Sequence, residues 1–176
     1  MPDPERQVTP LQLEAYFALI EVSSLLRHAI EQQLREEGDL SYVQFQLLAT
    51  LGDRPTGSAR MTDLADGVVY SRSGLTYQAG LLERAGLVVR SPSPEDERST
   101  TVAITDAGRA VLSRVFPGHV DELSRLLLEP MTDEDVRVLA EVLGKVRAHM
   151  RAEPPRSAAP RRGKRHAAGT GSREQA

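Results

Sequence analysis

The chain has no cysteine and no tryptophan, and aromatic side chains make up only 4% of it. Without thiols there can be no disulfide, thiolate zinc centre or cysteine redox switch. No run of about 18 apolar residues occurs, so no membrane span is expected. The opening residues MPDPERQVTP lack the basic and apolar regions of a secretion signal, so a cytoplasmic protein is expected. Glycine-rich phosphate loops, a nucleophile elbow and HExxH are all missing, which argues against an enzyme and leaves no candidate catalytic residue. His28, His119, His149 and His166 lack the close spacing of zinc ligands and read as surface or interface residues, with no metal and no cofactor expected. The acidic runs Glu95-Asp96-Glu97 and Asp133-Glu134-Asp135 read as a hairpin tip and a helix start.

Positive charge is also scarce where it would matter most. The net charge is −3 over 176 residues. Residues 153–176 hold six basic and two acidic side chains, whereas residues 1–53 hold three and nine. Residues 54–98 hold six of each sign, so charge alone does not suggest nucleic acid. Any nucleic-acid binding must rest on a few positioned arginines.

What is present is a regular order of elements. Thr9, Pro10 and Gln12 form a capping box that opens a helix running to about Glu37, with a stop at Gly38. Its apolar residues form two rows, one with Leu13, Phe17 and Ile20, the other with Leu19, Val22, Leu26 and Ile30. Two apolar faces imply packing on both sides, one of them against a partner subunit. Ser41 and Gln44 open a second helix through Leu51, with Phe45, Leu48 and Leu51 inward. DRPTGSAR reads as a loop. Thr62 caps a short helix to Gly67, and Ser71 caps the next, which ends at Ala85-Gly86. Leu75, Ala79, Leu81 and Leu82 face the core. Leu87–Ser91 and Thr100–Ile104 form a hairpin, with Pro92 and Pro94 in its loop.

Thr105 then caps a long helix carrying Val111, Val115 and Phe116, which Pro117-Gly118 should kink or break. The pattern resumes through Val120, Leu123, Leu126 and Leu127 to Pro130. Thr132 opens a last helix whose Val136, Leu139, Ala140, Leu143, Val146 and Met150 form one clean face. Residues 1–8 and 153–176 read as disordered. The basic run Arg161–His166 would add attraction to DNA, or simply reflects the preference for arginine over lysine. Two short helices followed by a β-hairpin can hold one helix in a DNA groove with the hairpin tip beside it.

The strings RMTDLADGVVYSRSGLT, LLERAGLVVR and DERSTTVAITDAGRAVL resemble the MarR family of bacterial transcriptional regulators, over about residues 11–150. The sharpest single element is Asp96-x-Arg98, ten residues before the glycine of TDAG. The resemblance implies a mainly α fold with a small β-hairpin wing: a winged helix-turn-helix (about 41–104) between dimerisation helices (about 9–37 and 105–151). It implies a homodimer that places two recognition helices, Ser71 to Ala85, on a palindromic double-stranded operator, with half-sites about 34 Å apart. Ser71, Arg72, Ser73, Thr76, Tyr77 and Gln78 would face DNA. Gln78 could pair with adenine, Arg72 with guanine or phosphate, and the hydroxyls with phosphates. Arg98 at the wing (91–99) would enter the minor groove, with Asp96 holding the loop. Arg90 would pair with wing carboxylates or touch phosphate, and Arg84 suits the end of its helix.

Many family members carry arginine where this chain has Tyr77, so base preference does not transfer. Gly74 inside the recognition helix should cost about 1 kcal/mol relative to alanine. The implied activity is ligand-responsive repression. An alternative is a small-molecule-binding or protein-interaction module of the same fold without specific DNA binding. Tyr16, Tyr42 and Phe45 would line an effector pocket or serve as core.

Overall fold

Four helix starts carry a side-chain cap, and these starts organise the chain in a computed structural model that describes residues 8–67, 72–93 and 96–152. Helix α1 (Pro10–Gly38) opens with the expected Thr9/Gln12 capping box, and α2 (Tyr42–Gly52) with the Ser41/Gln44 box. Strand β1 (Ser58–Arg60), α3 (Met61–Gly67), α4 (Arg72–Arg84), β2 (Val88–Ser93) and β3 (Asp96–Ile104) follow. Helix α5 (Asp106–Leu123) starts at Thr105, whose Oγ1 accepts from the Gly108 N–H. Residues 1–7 and 68–71, Pro94, Glu95 and the tail from 153 lie outside the described residues. The two terminal disorder expectations and the Ser71 cap therefore fall outside them too.

The core lies where α1, α2, α4 and the sheet meet α5. Leu34, Leu48, Leu51, Leu64, Leu75 and Val115 are fully buried there. Leu75, Ala79 and Leu82 of α4 are inward as expected, but Leu81 is only half-buried. Phe116 is exposed, because Val115 takes the inward position on α5.

Several expectations need correction. The loop DRPTGSAR contains β1, which pairs antiparallel with β3 (Ala59 opposite Val102) and completes a sheet ordered β1-β3-β2. Pro92 is not in the hairpin loop but in β2, opposite Thr100. Since β2 is an edge strand, a residue without an N–H is tolerated there. Pairing then shifts from Pro92–Thr100 to Ser93–Asp96, so residues 97–99 form an irregular segment of β3. Thr62 lies inside α3 rather than capping it, since the helix begins at Met61.

Gly38 does not supply the left-handed stop of α1. That conformation belongs to Asp39, with φ 52°. Gly38 serves a different need, because a Cβ there would stand 2.5 Å from Val115 Cγ1. Contact between α1 and α5, not backbone freedom, explains the glycine. Asp39→Gly should therefore stabilise the fold by about 0.5 kcal/mol by relieving the left-handed residue. A raised denaturant midpoint at unchanged slope would show it.

Helix α5 is not broken at Pro117-Gly118 but continues to Leu123. Pro117 leaves the Ser113 carbonyl without its helical donor, yet both residues are exposed, where water can replace it. Gly118 lies against α1, since a Cβ there would meet Glu37 and Gln33. Gln33, the buried polar side chain of this contact, donates from Nε2 to Val115 O at 3.0 Å and to Glu37 Oε2 at 2.8 Å. Beyond α5, residues Ser124–Leu128 form a π-helical turn in which Glu129 N donates to Ser124 O at 2.8 Å.

Residues from Met131 form a second compact unit. Helix α6 (Asp133–Ala152) begins at Thr132 as expected, and Asp135 completes the cap by accepting from Thr132 N at 2.9 Å. Arg137 is held by Glu134 and Glu141. No residue of α6 is buried, so its apolar face with Leu143, Val146 and Met150 stands open. The N-terminal half of α1 is similar, with Leu11, Phe17 and Leu25 exposed among others. Among the described residues no helix is long and apolar enough to cross a membrane.

Candidate nucleic-acid interface

Helix α4 has two well-separated sides. Leu75, Ala79 and Leu82 anchor one side in the core, while Ser73, Thr76, Tyr77 and Arg84 on the other are exposed. Residues 73, 77, 80 and 84 recur at four- and three-residue steps, so they form a single row along the helix. Tyr77 is 62% exposed within this row. A helix anchored on one side and polar on the other, followed by a hairpin, is what a groove-reading element requires.

The end of α4 is firmly tied. Gly86 has φ 73°, Gly86 N donates to Glu83 O at 2.9 Å, and Leu87 N donates to Leu82 O at 2.9 Å. This is a Schellman turn, which needs a residue that accepts the left-handed conformation. Thr105 binds the same corner from the far strand, with N donating to Leu87 O at 3.1 Å and Oγ1 to Gly86 O at 2.8 Å. Wing, recognition helix and α5 thus share one junction.

Arg90 on β2 has a carboxylate partner outside the wing, whose own carboxylates, Glu95, Asp96 and Glu97, lie outside the described side chains. It reaches back to α4, donating from Nε to Glu83 Oε2 at 2.8 Å and from Nη2 to the same oxygen at 2.5 Å, while its backbone N–H donates to Oε1 at 3.2 Å. Sequence reasoning missed Glu83, because the pair spans a turn and carries no local signature. The Arg90 hydrogen bond, aided by its charge and that of Arg84, outweighs desolvation and holds the Glu83 carboxyl below its ordinary range. A depressed folded pKa stabilises the fold above the ordinary carboxylate pKa, and that support is lost as pH falls through the depressed value. Glu83→Gln should therefore lower the melting temperature at neutral pH. The gap to wild type should close on acidification below the carboxylate range, as read from melting curves across pH.

The other expected contacts are placed as follows. Gln78 differs from the outward orientation expected of it, since it is half-buried and its Oε1 is enclosed without a partner among the described residues. The backbone of Asp96 pairs with Ser93 at the hairpin end, and Arg98 lies in the irregular segment of β3 just beyond. Arg72 is the first residue of α4. Arg84 is in the last turn of α4, as expected for a cation there.

Among the aromatic residues, Phe45 is core, Tyr16 is exposed against Phe17, and Tyr42 lies under the Arg27 guanidinium. His119 packs 4.5 Å from the Phe45 ring, and burial lowers its pKa. Unfolded chains take up that proton first, so acidification below the ordinary histidine range works against the fold. Among the described residues no three His, Cys, Asp or Glu side chains converge as metal ligands.

A short helix, a second helix with an outward polar row and an antiparallel wing define a winged helix-turn-helix, a class of DNA-binding regulator. The profile of the MarR family matches residues 38–99. The chain is 31% identical over 148 residues to the HTH-type transcriptional regulator PecS of Dickeya dadantii (strain 3937), covering 84% of this chain and 87% of that protein. It is 29% identical over 132 residues to the HTH-type transcriptional repressor YetL of Bacillus subtilis (strain 168), covering 75% and 78%. Sco3205, a MarR family transcriptional regulator from Streptomyces coelicolor solved in complex with DNA, superposes with a TM-score of 0.80 at 30% identity, covering 88% of this chain and 95% of that one. The chain belongs to the MarR family of transcriptional regulators.

Proposed function

We propose that this protein is a homodimeric repressor that lays α4 of each subunit into successive major grooves of a palindromic operator, with the wing at the flanking minor groove. The outward row of α4, opposite a fully anchored apolar side, is the observation that carries the reading. The structure of Sco3205 with DNA supports it by kinship, as does the repressor YetL. Dimerisation is supported by the open apolar faces of α1 and α6, which a monomer would leave in water.

Base-facing residues would be Ser71, Arg72, Ser73, Thr76 and Tyr77. Gln78 could join them only by turning its amide outward, and Arg90 serves chiefly to brace the wing. A small-molecule effector would act through its different affinity for the DNA-bound and free forms.

A gel shift against the protein's own upstream region tests the reading. Specific retardation at physiological salt is expected. Its absence would favour the same fold acting as a small-molecule or protein-binding module, a reading helped by the balanced charge of residues 54–98. Arg98→Ala should weaken operator binding and change preference at A·T-rich flanks. Affinity within about twofold of wild type would remove the wing from the proposal.

A further inference from the structure

Building on the placement of α4 in the major groove, we infer that the ring of Tyr77 reads thymine through its C5-methyl group. In that groove every base pair offers donors and acceptors, but thymine alone adds an apolar group. Guanine and adenine are usually read by a forked side chain making two hydrogen bonds to one base. Arg72, at the very start of α4, is one such fork and is proposed above to face a base; beyond it, among the described side chains in the first half of α4, no fork is turned outward. Ser73 has a single hydroxyl, and Gln78 keeps its Oε1 enclosed.

What α4 does present is the ring of Tyr77, exposed on the row that continues from Ser73. An apolar ring standing in water gains by covering a methyl group and gains nothing selective from a carbonyl or amino edge. The next turn of the row changes character. Arg84 Nη1 and Arg90 Nη2 lie 3.7 Å and 3.9 Å from the place a Gly80 Cβ would occupy. Arg90 is neutralised by Glu83, so it is the exposed Arg84 that takes the row from an apolar ring to positive charge, in the order of a base edge followed by a phosphate. Helix-turn-helix proteins dock in the same sense, with the N-terminal part of the recognition helix at the bases.

Selection from random duplexes with the full chain supplies the operator. Each thymine of a half-site is then replaced by deoxyuridine, which removes the methyl group and nothing else. At one position per half-site the wild type should lose about fourfold in affinity, and about 15-fold when both half-sites are changed. Tyr77→Phe should show the same loss, since it keeps the ring. Tyr77→Ala should bind the thymine operator more weakly and be indifferent to uracil. An unchanged melting temperature is expected of both variants, because the side chain is exposed. The inference fails alone if uracil costs the wild type nothing at any position, if selected half-sites lack thymine, or if Tyr77→Phe is as indifferent as Tyr77→Ala. If no duplex is selected at all, the groove placement of α4 fails and the inference falls with it.

Discussion

Gly108→Ala is expected to destabilise the protein by about 3 kcal/mol, near the upper end of ordinary overpacking costs. A Cβ at this position would collide with the carbonyl oxygen of Leu87 and stand 2.8 Å from Ile104 Cγ1. The first of these is backbone, fixed because Leu87 O already accepts from Thr105 N. A flexible side chain could swing away, but this carbonyl cannot move without opening the turn after α4 or the start of α5. The Gly108 N–H is itself the donor to the Thr105 cap, so displacement would also loosen that bond. For a domain of this size the melting temperature should fall by about 10 °C, at fixed protein concentration. A loss below about 1 kcal/mol would mean that the wing root yields more easily than this packing implies.

Phe17→Glu should have the largest effect on operator binding of any change far from α4. Phe17 is 62% exposed, and Leu11, Leu13, Ile20 and Leu25 around it are also open. If a second copy covers this face, a carboxylate placed there must be buried without a partner, at a cost that an interface cannot easily absorb. The variant should sediment as a monomer where the wild type sediments as a dimer. Operator affinity should then fall at least about 100-fold, because the second half-site no longer binds as an intramolecular event. Phe17→Leu should keep both properties. A dimeric Phe17→Glu protein with full affinity would show that α1 is covered by something other than a second copy.

Much of the architecture was legible because its signals are local. The cap residues Thr9, Ser41, Thr105 and Thr132 each lie at a helix start and specify it within one turn. Gly86 after Ala85 likewise marked the end of α4 from chain-local chemistry. What escaped depends on distant partners. Ser58-Ala59-Arg60 has no β-branched residue and becomes a strand only because β3 offers it a free edge. Pro117 looked like a break because a helix read alone cannot show that its exposed side tolerates one missing donor. Gly38 looked like a cap until Val115, far along the chain, supplied the reason for it.

The site divides in the same way. Ser73 and Tyr77 were readable as one exposed row from helical spacing. Neither the enclosed amide of Gln78 nor the grip of Glu83 on Arg90 could be read, because each depends on how α4 sits against its neighbours.

The corner at Gly86, Leu87 and Thr105 has a mechanical consequence. Two hydrogen bonds from one threonine clamp the exit of the reading helix to the entrance of the next long one. A rotation of the first turn of α5 would therefore act directly on the exit of α4, with no slack connection between them. Control of this protein by a remote signal would then require only that α5 turn, with the reading head carried round like a key on its shaft.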